Sequence, residues 1–300
     1  MPAWAPVRVF LVDGTYELFR YHFALPSHVT AEGREVAATR GVLSTLLMLV
    51  DQGATHIGVA TDHVIESFRN RMWPGYKSSA GMPPELLAQF PLVEEAIAAM
   101  GITVWPMVDL EADDALASAA AVLAEDPEVD QVVICTPDKD LGQCVRGDGR
   151  VVQLDRRKTL VLDEAAIVTK FGVFPESIPD YLGLVGDSSD GFPGLPGWGA
   201  KSAAAVLARY RHLEHIPADG REWDVKVGRP TGLASTLQDQ WKDALLFRDL
   251  ATLRIDRSLV SGPAQLEWHG PTDSFSDLCR RIEGDNLPER AAKLSAKRAP

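Results

Sequence analysis

Four apolar runs that lead into acidic residues, with helical stretches between them, constrain this chain more than any other feature. VRVFLV (Val7–Val12) runs into Asp13, and HIGVAT (His56–Thr61) runs into Asp62. QVVICT (Gln131–Thr136) passes through Pro137 to Asp138 and Asp140. A poorer run, Ile102–Met107 with Pro106 near its end, leads to Asp109 and then to Glu111, Asp113 and Asp114. Short β-branched apolar runs read as buried strands. Gly41–Val50, Pro91–Met100 and the Ala-rich, acid-led Asp113–Ala124 read as helices. Val151–Leu154 and Thr159–Leu162, joined by a charged turn, read as a hairpin. This alternation predicts an α/β fold with a mostly parallel sheet and flanking helices. Ligands of such sheets sit at the carboxyl ends of the strands, so the acids are expected to converge there.

A helix cap or a turn accounts for any one of these acids. It does not account for the set, because several carboxylates in one partly desolvated cleft repel one another strongly. Asp187 and Asp190, in GDSSDG, add to the set. Divalent cations resolve the conflict, and all-oxygen ligation suits Mg²⁺ or Mn²⁺. Three scattered cysteines (Cys135, Cys144, Cys279) form no disulfide framework or zinc site. His212 and His215 have a spacing that could serve a metal, but they lack evident partners. Two divalent ions about 3.5–4 Å apart are the usual apparatus for phosphodiester hydrolysis.

Ser67–Gln89 is basic, aromatic and without clear periodicity, and reads as an inserted, mobile element. Its Arg69, Arg71 and Lys77 suit a scissile phosphate, and Tyr76 suits stacking on a base. A solvated charged loop is the competing reading. Near residue 180 the texture becomes a Gly/Pro-rich loop from Ile178, followed by an Ala-rich helix to Tyr210, then helices and loops to Leu253. GLPGWGAKS misses the P-loop spacing, since Ala200 separates Gly199 from Lys201. It reads as a helix–hairpin–helix turn in which Gly197, Gly199, Lys201 and Ser202 meet a phosphate backbone. Ala291–Pro300 reads as a basic, frayed tail. The net charge of −12 argues against coating nucleic acid by bulk charge but not against a local basic patch. No apolar stretch approaches the roughly 20 residues of a membrane span, and the N-terminus lacks a signal-peptide layout. A soluble cytoplasmic protein is expected.

Taken in order, LVDG (Asp13), FR (Arg20), Asp62, SFR (Arg69), GYK (Tyr76, Lys77), EADD (Glu111, Asp113, Asp114), TPDKDL (Asp138, Asp140), GDSSD (Asp187, Asp190) and GLPGWGAKSA closely resemble the 5′-nuclease domain of bacterial DNA polymerase I and its stand-alone relatives. These belong to the flap endonuclease superfamily. The resemblance spans about Val7–Leu253 and fills all nine acidic positions of the family pattern. It implies a PIN-like α/β core (residues 1–177) with a helical arch at about 67–89. A helix–hairpin–helix DNA-binding lobe (178–255) and a C-terminal segment (256–300) would follow. It implies two or more Mg²⁺ or Mn²⁺ ions, with Asp13, Asp62, Glu111, Asp113 and Asp114 at a tighter site. Asp138, Asp140, Asp187 and Asp190 would form a weaker zone. Arg20, Arg69 and Lys77 would hold phosphate, and a K⁺ ion could sit at the hairpin turn. The implied activity is two-metal hydrolysis of DNA at 5′ ends and 5′ flaps, leaving a 5′-phosphate. A monomer is implied, with replication or repair proteins as further partners, and the absence of a following polymerase domain implies a separate nuclease.

Three departures stand out. Ser78-Ser79-Ala80-Gly81 is neutral where relatives commonly carry a basic residue, Gly191 stands where Asn is frequent, and Trp198 replaces a small aliphatic at the hairpin centre. Trp198 could pack or wedge against DNA. The competing functions are a PIN-like ribonuclease, a non-catalytic DNA-structure binder and a small-molecule phosphatase. The Gly194–Ser202 turn counts against the first and third, and the intact acids against the second.

Overall fold

The computed structural model describes residues 7–298. By packing, the chain divides into a first unit (residues 1–65, 79–136 and 255–300) and a second (66–78 and 137–254).

The first unit opens with strand β1 (Val7–Asp13), helices α1 (Gly14–Ala24) and α2 (Ala37–Asp51), and strand β2 (His56–Asp62). In the second unit, Arg69–Met72 forms the short helix α3. The first unit resumes with α4 (Pro84–Leu87), α5 (Gln89–Ala99), β3 (Thr103–Met107), α6 (Ala112–Leu123) and β4 (Val129–Cys135). Its four strands run parallel in the order β3-β2-β1-β4. The register sets Val12 beside Val59 and Cys135, and Asp62 beside Met107. The carboxyl ends therefore lie along one edge. β2 is buried almost throughout and β1 over its last three residues, as continuous apolar runs require of parallel strands covered on both faces. β3 is an edge strand, which is why Pro106 is tolerated in it. Helix α6 packs on all four strands, and its alanines allow that close approach.

The expected tail is not frayed. After Ile255 the chain returns to the first unit and adds α12 (Phe275–Arg281) and α13 (Leu287–Ala296). Trp268 donates its indole N–H to the Met100 carbonyl (2.8 Å). Arg298 reaches the carbonyls of Val50 (2.8 Å) and Ala54 (2.7 Å), its guanidinium over the Trp268 ring. The basic residues of this segment are tethers, which composition alone does not show. Ala299 and Pro300 lie outside the described residues.

The second unit holds the hairpin of β5 (Val151–Asp155) and β6 (Leu160–Leu162). Helices α7 (Glu164–Phe171), α8 (Ile178–Val185), α9 (Ala200–Tyr210), α10 (Pro230–Asp239) and α11 (Trp241–Ala251) complete it. Its core gathers Tyr76, Ile178, Leu182, Phe192, Trp198, Leu207 and Phe247, among others. The expected loop at Ile178 is helix α8. Pro179 sits in its first turn, where a missing N–H costs nothing. The expected arch is ordered and divided, with residues 67–78 packing in the second unit and 79–89 in the first. Packing likewise does not divide the chain at residue 177, and residues 255–298 belong with the first unit. Among the described residues, no helix is long and apolar enough to cross a membrane.

Candidate active site

In the first unit the acids at the strand ends are buried and already engaged. Asp13 caps α1, its Oδ1 accepting the Tyr16 amide (2.8 Å), while its Oδ2 accepts the Thr136 hydroxyl (2.8 Å). Asp62 Oδ1 accepts the Ala112 amide (2.6 Å), and the Asp62 amide donates to Thr15 Oγ1 (2.8 Å). Glu111 and Asp114 form a capping box at the start of α6, in which Asp114 Oδ2 accepts the Glu111 amide (2.9 Å). The capping role of Asp13 and Asp114 is therefore real. A carboxylate has about four lone-pair sites, so capping leaves acceptor capacity over. Asp113, on the first turn of α6, is partly exposed.

In the second unit, Asp140, Asp187 and Asp190 each offer an oxygen within 4.8 Å of the others. Asp187 heads a tight loop. Its amide donates to the Phe192 carbonyl (2.8 Å), its carbonyl accepts the Gly191 amide (2.8 Å), and its Oδ1 accepts the Ser189 amide (2.9 Å). Asp138 Oδ1 accepts the Asp140 amide (2.9 Å), and its carbonyl accepts the Gln153 side chain. Burial, then the charges of Asp138 and Asp190, push the Asp140 carboxyl well above the usual carboxylate range. Lys139 pairs with Asp187 and stands 3.9 Å from Asp140. Burial works against its ammonium, yet Asp140 and Asp187 hold its pKa above the ordinary value. Asp140 Oδ1 is buried without a hydrogen-bond partner. A buried oxygen left without a hydrogen bond, among crowded carboxylates, fits a hard divalent cation.

The basic residues divide. Lys77 Nζ lies 3.5 Å from Asp190 Oδ1. Arg20 pairs with Glu17 and stacks on the Tyr21 ring, 3.9 Å from its centroid. Arg69 corrects its expectation. It is 1% exposed, and its guanidinium donates to the carbonyls of Leu250 (2.8 Å) and Thr252 (3.1 Å). It ties α3 to the end of α11 and cannot reach a phosphate from there. Tyr76 is buried in the core of the second unit, so it is not a free stacking platform. Trp198 is buried too, tilted against Trp223, with its indole N–H on the Leu233 carbonyl (3.3 Å). It packs the hairpin rather than wedging into DNA. His212 is taken up by Asp180 (2.9 Å), which also accepts from Arg248 (3.1 Å).

At the hairpin, Gly197 turns with φ +81°, and α9 begins at Ala200 with Ser202 Oγ accepting the Gly199 amide (3.0 Å). Lys201 is exposed beside it. The turn borders a cavity of about 500 Å³ that Lys201 and Lys226 both line. Sequence reasoning missed Lys226, because it sits in an unpatterned stretch 25 residues beyond Lys201. Only its basic character, shortly before Arg229, could have signalled it.

Two family models match in succession. The 5′-3′ exonuclease N-terminal resolvase-like domain covers residues 8–172, and the 5′-3′ exonuclease C-terminal SAM fold covers 173–274. The chain belongs to the 5′-3′ exonuclease family. It is a nuclease. The junction of the two models at 172/173 lies close to the expected boundary at 177, although packing divides the chain elsewhere. A 5′-3′ exonuclease of Aquifex aeolicus is 30% identical over 81% of this chain and 82% of its own length. DNA polymerase I of Mycobacterium tuberculosis is 35% identical over 93% of this chain. The chain spans only 31% of that polymerase, and 27% of the DNA polymerase I of Pseudomonas aeruginosa. Among solved structures, T5 5′-exonuclease with zinc bound superposes with TM-score 0.66 at 16% identity, covering 96% of this chain and 98% of that one. The catalytic core of Rad2 in complex with DNA substrate gives 0.61 at 16% identity, covering 96% and 91%. These likenesses show a shared fold.

Proposed function

We propose that this 5′-3′ exonuclease acts on DNA at 5′ ends and 5′ flaps with two or more Mg²⁺ or Mn²⁺ ions, leaving a 5′-phosphate. The observation that carries the metal reading is the Asp140–Asp187–Asp190 group, with Asp140 and Asp187 buried and one Asp140 oxygen without a hydrogen bond. These three, with Asp138, would hold one zone of ions. Asp13, Asp62, Glu111, Asp113 and Asp114 would hold the tighter one. Such ions supply an activated water and neutralise charge building on the phosphate.

The chain's own residues do the rest. Lys77, beside Asp190, holds the scissile phosphate, and in the first unit Arg20 is a further phosphate-holding residue. Lys201 and Lys226, which line the same cavity at the hairpin, hold the duplex backbone, with the Gly197–Gly199 turn letting phosphate approach the amides. A K⁺ ion at that turn belongs to the same proposal. DNA as partner is supported by the Rad2 core solved with its DNA substrate. The chain is proposed to work as a monomer alongside replication or repair proteins.

The test is a 5′-flap duplex labelled on its 3′ side, incubated with Mg²⁺, Mn²⁺ or EDTA beside blunt, gapped and RNA-flap versions. Metal-dependent cutting near the flap junction is expected, with turnover far more reduced than DNA binding in Asp114→Asn and Asp138→Asn. Tight binding without cutting in either metal would refute the proposal in favour of a DNA-structure binder. Preferred cutting of the RNA flap would make the chain a ribonuclease.

A further inference from the structure

The loop that carries Asp187 and Asp190 and the segment that carries Lys77 meet backbone to backbone. The Lys77 amide donates to the Asp190 carbonyl (3.0 Å), and the Trp73 indole N–H donates to the Gly191 carbonyl (3.0 Å). Between these two bonds the chains touch at glycines. A Cβ on Gly191 would lie 2.0 Å from the Gly75 carbonyl oxygen, and Gly191 has φ +86°. Asn tolerates that left-handed backbone but not the contact, which accounts for glycine after GDSSD in this chain. The Trp73 ring packs edge-on against Phe247 (5.3 Å), and Phe247 stacks on Phe192 (5.8 Å) at the end of the same loop. One aromatic column and two hydrogen bonds thus join the segment to the loop.

We propose that Trp73 and Gly191 are positioning residues that latch Lys77 onto the loop of Asp187 and Asp190, so that its amine is aimed before DNA arrives. The inference rests on the reading of Lys77 as the phosphate-holding residue. Preorganisation of this kind raises turnover rather than affinity, since the geometry is set in the free protein.

The test uses the full chain and Trp73→Phe, which keeps the ring against Phe247 and removes only the N–H. Hydrogen exchange of the Lys77 amide, measured on metal-free protein, reads the latch without activity. Exchange about three- to tenfold faster is expected, the worth of one ordinary hydrogen bond. On the 5′-flap duplex, kcat should fall by about the same factor with KM little changed. The double variant Trp73→Phe/Lys77→Ala should be no slower than Lys77→Ala, because a residue acting only through Lys77 has nothing further to lose. Gly191→Ala should move every readout further in the same direction. If Gly191→Ala does not fold, Trp73→Phe carries the test alone. Unchanged Lys77 exchange in Trp73→Phe overturns the latch. Faster exchange with wild-type kcat, or losses that multiply in the double variant, overturns the positioning role. Wild-type kcat in Lys77→Ala overturns it as well, while leaving the nuclease reading to the acid variants.

Discussion

Arg69→Met separates a structural guanidinium from a phosphate contact. Met keeps the apolar stem but removes the donors to the carbonyls of Leu250 and Thr252. Each buried acceptor left unsatisfied costs about 1–3 kcal/mol. The Arg69 guanidinium also lies 4.6 Å from the centroid of the Phe68 ring, a contact of about 0.5–2 kcal/mol. Relief from burying a charge offsets part of this. The net loss is about 3 kcal/mol, roughly a hundredfold in the folding equilibrium. Urea unfolding followed by tryptophan fluorescence suits the measurement, because Trp73, Trp198, Trp223 and Trp241 all lie in the second unit. Binding to the 5′-flap duplex would be measured by anisotropy at a temperature where both proteins are folded, and the affinities should agree within about twofold, near the limit set by small ground-state effects. Stability within 1 kcal/mol of wild type combined with about tenfold weaker binding (1.4 kcal/mol) would refute the reasoning and return Arg69 to the phosphate.

Four further outcomes are expected. Adding Mg²⁺ or Mn²⁺ should raise the thermal midpoint of the wild type but much less that of Asp140→Asn, which should also lose at least about a hundredfold in turnover; equal metal-induced shifts would remove Asp140 from the site. Lys226→Ala should weaken binding of every duplex alike and lower the salt slope by about one, read from affinity at several salt concentrations. Trp198→Phe should cost about 0.5–1.5 kcal/mol in a urea melt, from the lost hydrogen bond to the Leu233 carbonyl, with DNA affinity unchanged. Burial pushes the Cys279 thiol up from 9.0 to about 11; its contribution to stability is therefore full below pH 9 and lost as pH rises through 11, so Cys279→Ala should flatten the stability profile in that window.

How far the chain could be read without coordinates depended on how local the cause was. The starts of β1 and β2 follow from apolar runs that any burial on both faces would need, whereas β4 begins at Val129, two residues before the run that marks it. β3 was legible despite Pro106, since an edge strand forgives a missing N–H. The placing of Asp13 beside Thr136 and of Asp62 beside Ala112 followed from parallel topology. Arg69 was not legible. It and Arg71 are both arginines in one short basic stretch, and only carbonyls about 180 residues later distinguish the buried one. Tyr76 and Trp198 misled for the same reason, because an aromatic in a Gly-rich stretch looks exposed until its distant neighbours are known. Helix α8 was hidden by its interior Gly183 and by Pro179, a residue that marks a break in the middle of a helix but a beginning at its first turn.

The return of residues 255–298 to the first unit has a consequence for biosynthesis. The second unit needs no residue beyond Arg254 to complete its core. The first unit, although it opens the chain, waits for Trp268 to reach Met100 and for Arg298 to reach Val50 and Ala54. Domains usually finish in the order in which they leave the ribosome; here that order is inverted. A nascent chain halted at Arg254 would carry a finished second unit and an unsealed first one. The carbonyls of Val50, Ala54 and Met100 would meet water until the closing segment emerged.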